Sequence, residues 1–292
     1  MGVVYLGERH DLRRKAAIKV LHPWLAERPE AVQRFFSEAR AANLARHPNI
    51  VDIYDYGESD EAGAFLVMEL LEGQSLSHYL RKKTPMSLEF VSRLVQRVAS
   101  ALSAAHAQGV IHRDLKPENI FLVPDPNHLG EDLVKILDFG LAKLTESEET
   151  QIGSTRTGQL FGTPTYMSPE QCRGAKRVDH RTDIYSLGVI AYESLCGHPP
   201  FVAEGAGEVI ALHLNQQPPP LRSLNPALPT EVEQAVMRTL EKQPEKRFDS
   251  AEDFSSAIAA AFIGSRSGSR GQEGLGGRDE ITDESLPTVA RE

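Results

Sequence analysis

The chain has 292 residues, 40% apolar and 25% charged, so it can bury a full core and is long enough for one large domain or two lobes. A formal charge of −9 speaks against nucleic acid or an anionic membrane surface as the main partner, because both call for clustered Lys and Arg. The two cysteines, Cys172 and Cys196, form neither a disulfide framework nor a C-x-x-C pair, which fits a reducing, cytoplasmic setting. The most apolar stretch, 184–196, is too short to span a bilayer and carries Glu193, and the N-terminus lacks the layout of a signal peptide.

Residues 3–6 and 16–21 are short apolar runs joined by the polar stretch 8–15, the pattern of an antiparallel hairpin. From 30 to 46, Ala31, Val32, Phe35, Phe36, Ala39, Ala42 and Ala45 recur at helical spacing behind Pro29, a residue suited to a helix start. Residues 50–56 and 64–70 read as two further strands, so residues 1–72 form a small sheet lobe with one helix. Beyond Gly73 the pattern turns helical. Residues 88–108 carry the stripe Val91, Leu94, Val95, Val98, Ala101, Leu102 and Ala105, closed by Gly109. A second hairpin, 120–123 with 133–137, spans a turn-rich connection, and a polar loop covers 145–159. Helices resume at Asp183. The Pro-rich 217–229 is expected to be an extended crossing loop, while 230–243 and 250–262 return to helical spacing. Residues 263–292 are rich in Gly, Ser and charge; they bury too little to offset ordering entropy and are expected to form a disordered linker. The fold class is α+β, with a candidate site in the crevice between a sheet lobe (1–72) and a larger helical lobe (73–262).

The chemistry-bearing motifs flank that crevice. The run His112-Arg113-Asp114-Leu115-Lys116-Pro117-Glu118-Asn119 resembles the catalytic loop of protein kinases at every position, and Asp138-Phe139-Gly140 resembles the metal-binding triplet of the same family. Lys19, ending Ala16-Ala17-Ile18-Lys19, resembles the strand lysine that holds the ATP phosphates. Glu38 shares a helix face with Phe35, Ala42 and Ala45, so its carboxylate points into the core and calls for a cation, for which Lys19 is the natural candidate. The resemblance implies a bilobal protein kinase fold, with Asp114 as the base, Lys116 on the moving phosphoryl group, and Asn119 and Asp138 on Mg²⁺ or Mn²⁺. It further implies an ATP pocket made of Gly2, Val4, Ala17, Lys19, Met68, the backbone of Glu69 and Leu71, and Phe121. Ser168-Pro169-Glu170 is a close variant of the Ala-Pro-Glu that ends kinase activation segments, with Ser expected to be tolerated for Ala. Glu170 is expected to pair with Arg247, and Asp183 to brace the catalytic loop. Thr163 and Lys116 resemble Ser/Thr rather than Tyr kinases, and Thr155 and Thr157 stand where bacterial relatives autophosphorylate, with Arg113 as the phosphate's receiver.

The overall spacing is similar to that of the bacterial receptor-type (Hanks-type) Ser/Thr kinases. Partners are therefore expected to be ATP, proteins with Ser or Thr acceptors and, for autophosphorylation in trans, a second copy of the chain. Met1-Gly2-Val3-Val4 matches only the last glycine of the family's three-glycine loop and the valine after it. That departure carries two expectations: a true start upstream of Met1, or a catalytically impaired kinase-like scaffold. A small-molecule phosphotransferase shares the His-x-Asp…Asn loop but lacks the peptide-binding segment, and Ser168-Pro169-Glu170 with Lys116 favours a protein substrate.

Overall fold

The computed structural model describes residues 2–9, 13–61, 63–125, 132–139, 164–174 and 178–272. Strands β1 (Gly2–Arg9) and β2 (Arg14–Leu21) pair antiparallel, with Val4 opposite Lys19 and Leu6 opposite Ala17. After helices α1 (Pro23–Ala26) and α2 (Pro29–Ala45), strands β3 (Ile53–Ser59) and β4 (Gly63–Met68) complete a four-stranded sheet in the order β1-β2-β4-β3. Helix α2 packs Phe35 and Ala39 against Leu21, Ala64 and Leu66 of the sheet, the small core its apolar stripe called for.

The second lobe begins with β5 (Gln74–Ser75), α3 (Leu76–Lys82) and α4 (Leu88–Ala107). The Ser75 and Ser87 hydroxyls cap α3 and α4 by accepting from the His78 and Phe90 amides, and Gly109, at φ +73°, turns the chain out of α4. Strands β6 (Ile120–Pro124) and β7 (Asp132–Ile136) join β5 in a three-stranded sheet. Among the described residues six α-helices follow: α5 (Pro169–Cys172), α6 (Arg181–Cys196), α7 (Ala206–Asn215), α8 (Leu221–Leu224), α9 (Thr230–Thr239) and α10 (Ala251–Gln272). Helix α6 is buried on nearly all sides, from Ile184 and Tyr185 to Leu195, which is why its sequence shows apolar residues without a polar face. A Cβ on Gly188 would collide with the Thr239 side chain, so glycine sets how closely α6 approaches α9.

The lobes are tied together by backbone and side-chain bonds. Ile136 donates to Asn49 O (2.8 Å), Val51 donates to Ile136 O (3.0 Å), and Asn49 Nδ2 reaches Val134 O (2.7 Å). Lys135 adds an ion pair to Glu69 at 2.6 Å. The position of β7, and of the site residues at its end, is thereby referred to the sheet lobe.

Two expectations need correction. Residues 217–229 are not wholly extended: α8 forms one turn there and buries Leu221, since proline is compatible with the residue ahead of a helix and Pro220 occupies that place. The change of composition at 263 does not end α10, which runs on to Gln272. Its earlier turns are anchored by buried Phe254, Ile258 and Ala261, and each added residue gains a backbone bond without a new nucleation step. Residues 273–292 and the loop 145–159 lie outside the described residues.

Fully buried His213 in α7 accepts from the Tyr185 hydroxyl at Nδ1 (2.8 Å) and donates from Nε2 to Thr165 O (3.0 Å). Burial, with Lys242 nearby, pushes its pKa down to about 4. The unfolded chain therefore takes up this proton near pH 6.5, while the folded chain resists it until about 4. The stability contributed is present above about pH 6.5 and is lost as pH falls toward 4, on the order of 3 kcal/mol. Urea unfolding of wild type and His213→Gln from pH 7 to 4 is expected to show the gap between them narrowing; parallel curves would contradict this assignment.

Candidate active site

The loop that follows α4 has little regular structure of its own and is held by one carboxylate. Asp183, fully buried in the first turn of α6, accepts from the His112 amide (2.9 Å), the Arg113 amide (2.8 Å) and His106 Nε2 (2.7 Å). Burial alone would raise its pKa, but the His106 hydrogen bond and the neighbouring imidazoles outweigh it and hold the carboxyl below its ordinary value. Arg113 adopts φ +63°, a left-handed conformation unfavourable for a residue with a Cβ, and the Asp183 bonds keep it there. Asp183 thus contacts the loop at two consecutive amides, with His106 as a third donor that no sequence pattern had marked.

Around that brace the loop residues are oriented one by one. His112, also fully buried, donates from Nε2 to Leu137 O (3.0 Å), accepts the Asp114 amide at Nδ1 (3.3 Å), and meets the Phe139 ring edge-on at 4.8 Å. Lys116 Nζ lies 2.7 Å from Asp114 Oδ2. Asn119 donates from Nδ2 to Asp114 O at 2.9 Å; a carbonyl oxygen can only accept, so the amide orientation is settled and Oδ1 is left for another partner. Leu137 donates to Asn119 O at 2.8 Å, which joins the loop to the backbone just before Asp138.

Lys19 enters from β2. It is buried and reaches Glu38 of α2 at 3.3 Å, the pairing the helix face called for, but its shorter contact is with Asp138 at 2.7 Å. Burial would lower the Lys19 pKa, yet Asp138 and Glu38 together hold it above its ordinary value, so it keeps its proton. Burial pushes the Glu38 carboxyl up to about 7 against the pull of Lys19, and the Asp138 charge adds to the rise. Glu38, with the longer contact and a buried Oε1 that has no hydrogen-bond partner among the described residues, carries the cost of sharing the lysine. Asp138, at φ +55°, keeps Oδ2 without a partner among the described residues.

The residues assigned to a nucleotide base lie around this point. In the β1-β2-β4 register Val4 faces Lys19 and Ala17 faces Met68, so all four share one face of the sheet. Val4 is 58% exposed, apolar surface open on that face. Gly2, opposite Leu21, lies so near β2 that a Cβ would collide with Val20 O. The Glu69 amide donates to Asp52 O (3.0 Å), whereas the Glu69 carbonyl and the Leu71 amide have no partner among the described residues. Phe121 is half-buried in β6, two residues after Asn119. Gly140, Thr155, Thr157 and Thr163 lie outside the described residues.

Behind the loop, Arg247 grips Glu170 with two 2.8 Å bonds and also donates to Glu241 O and Arg181 O. Ser168 does more than replace an alanine. It caps α5 in a reciprocal box with Gln171, and its hydroxyl contacts Thr182 Oγ1 at 2.7 Å. Gln171 in turn donates from Nε2 to Arg113 O at 2.7 Å. The spacing Ser-x-x-Gln ahead of a helix is a capping-box signature and was the available signal for both residues.

Comparison with known proteins agrees with this geometry. The protein kinase domain model matches residues 1–258. The serine/threonine-protein kinase Pkn1 of Myxococcus xanthus is 44% identical over 262 residues, covering 90% of this chain and 36% of that protein. PknA of Mycobacterium tuberculosis is 38% identical over 270 residues, covering 91% and 59% respectively. The chain thus spans roughly a third to three-fifths of the length of these relatives. Among solved structures, the Mycobacterium tuberculosis PknI kinase domain superimposes with a TM-score of 0.68 at 29% identity, covering 89% of this chain and 91% of that one. The chain belongs to the protein kinase domain family, in its bacterial Hanks-type Ser/Thr branch.

Proposed function

We propose that this chain transfers the γ-phosphoryl group of ATP to Ser or Thr hydroxyls of proteins. The observation that carries the reading is the hydrogen-bonded path from Asp114 through Asn119 and Leu137 to Asp138 and on to Lys19, which ties a carboxylate base, oxygen donors and a retained cation into one unit. Asp114 would orient the acceptor hydroxyl and take its proton as the acceptor oxygen bonds to the γ-phosphorus and the bond to ADP breaks. Lys116, beside Asp114, would offset charge on the moving group, and Lys19 would hold phosphate oxygens.

The donor set fits a hard divalent cation. Asn119 Oδ1 and the Asp138 carboxylate are oxygen ligands, and among the described residues no group of three or more His, Cys, Asp or Glu converges as a protein-only cage. Two protein ligands with phosphates and water completing the shell is the usual arrangement for Mg²⁺, and Mn²⁺ accepts the same donors. When bound, the ion would neutralise phosphate charge. Among the described residues no helix is long and apolar enough to cross a membrane.

Label transfer from ATP with Mg²⁺ to a basic protein substrate tests the reading. Asp114→Asn is expected to lose about 10²–10⁴-fold in rate with ATP binding retained; an undiminished rate would remove Asp114 from its role. A scaffold would bind nucleotide and transfer no label.

Thr155 and Thr157 are proposed as sites of autophosphorylation by a second copy, each phosphate adding charge for Arg113 to meet. The Thr155→Ala, Thr157→Ala double variant is expected to lack the phosphates by mass spectrometry and to lose about tenfold or more in rate, the worth of one charge-assisted hydrogen bond. Full activity without those phosphates would contradict it.

A further inference from the structure

The kinase reading gives Gln171 no role, yet its side chain is among the most fully committed near the site. Its Oε1 accepts from the Ser168 amide (3.0 Å) and from Thr182 Oγ1 (2.8 Å), and its Nε2 donates to Arg113 O (2.7 Å). The Thr182 hydroxyl spends its one hydrogen on Gln171 Oε1, so Ser168 must be the donor in the 2.7 Å Ser168–Thr182 contact. The Ser168 oxygen accepts the Gln171 amide (3.4 Å). The bonds therefore run in a closed ring from the Gln171 amide through Ser168 and Thr182 back to Gln171 Oε1. That ring fixes which end of the amide faces the loop.

What Nε2 holds is the carbonyl of the peptide unit that joins Arg113 to Asp114. The opposite end of the same plane, the Asp114 amide, is held by His112 Nδ1 at 3.3 Å. Rotation of this plane would carry the Asp114 carboxylate with it. The unit starts from a left-handed residue, Arg113 at φ +63°, so it needs external contacts to stay where it is. Asp183, from α6, holds the preceding unit through the Arg113 amide, and Gln171 holds this one from α5, the short helix that begins within Ser168-Pro169-Glu170.

We infer that Gln171 is a positioning residue for Asp114, a latch through which the segment ending at α5 sets the orientation of the base. The inference rests on the kinase reading for its consequence in rate but not for its consequence in structure. Gln171→Glu keeps both acceptor contacts and replaces the donor to Arg113 O with a carboxylate oxygen that can only repel it. Gln171→Met keeps the length and removes all three side-chain bonds.

Both variants, made in this chain, are to be assayed with ATP, Mg²⁺ and a basic protein substrate, with melting temperature and amide hydrogen exchange measured alongside. The expected result is a kcat reduced about 10- to 100-fold by a misplaced base, with KM for ATP within about twofold of wild type and melting within a few degrees. Exchange at the Arg113 and Asp114 amides should rise about tenfold or more while amides in α4 stay protected. Wild-type kcat in both folded variants, or a loss that follows a general drop in melting temperature and protection, would overturn the latch. Should the wild-type chain itself transfer no label, the kinase reading fails, and the exchange at Arg113 and Asp114 alone decides whether Gln171 holds the loop.

Discussion

The rest of the site depends on one buried carboxylate. Asp183 takes three donors onto two oxygens with no access to water, and two of those donors are consecutive backbone amides of a loop that has no strand or helix to stabilise it. A charge buried this deeply persists only when its lone pairs are satisfied, so the loop and the carboxylate stabilise each other. The arrangement is placed by α6, the most enclosed helix of the larger lobe, which makes Asp114 a rigid extension of the core rather than a surface loop residue. Site geometry inherits the precision of core packing.

From that anchor the order of the site spreads outward in steps of single bonds. His112 carries it to Leu137, Asn119 returns it to Asp114, and Arg247 with Glu170 locks α5 behind the loop. The other lobe meets this array through Lys19, whose two carboxylate partners come from different lobes. The pairing is uneven. Asp138 has the shorter contact, and Glu38 keeps a buried oxygen without a partner among the described residues, so any group that drew Asp138 away would let Lys19 and Glu38 close on each other. The position of α2, which carries Glu38, is thereby coupled to what occupies the Asp138 end of the cleft.

Much of this was legible in the amino-acid order because the chemistry is written in contiguous strings. Asp114, Lys116 and Asn119 fall within six residues, and Glu38 announces itself as a charge on an apolar helix face. The Glu170–Arg247 and Asp183 contacts were reached through family resemblance, since nothing in local spacing brings positions so far apart together. What escaped were contacts whose partner is a backbone atom, such as Gln171 on Arg113 O, or whose partner is shared, such as Lys19 on Asp138. Side-chain type alone does not specify either. Composition also misplaced two boundaries: prolines hid the turn of α8, and glycines and serines suggested an end to α10 that an already nucleated helix passes by.

The central claim, that Asp183 makes the loop after α4 part of the core, is tested most directly by amide hydrogen exchange at His112 and Arg113 in the unmodified chain. The account predicts that these two loop amides exchange as slowly as those in the middle of α4, opening only with the larger lobe as a whole. Exchange at the rate of an exposed loop would mean that the carboxylate does not hold them, and the physical basis given for the position of Asp114 would fail.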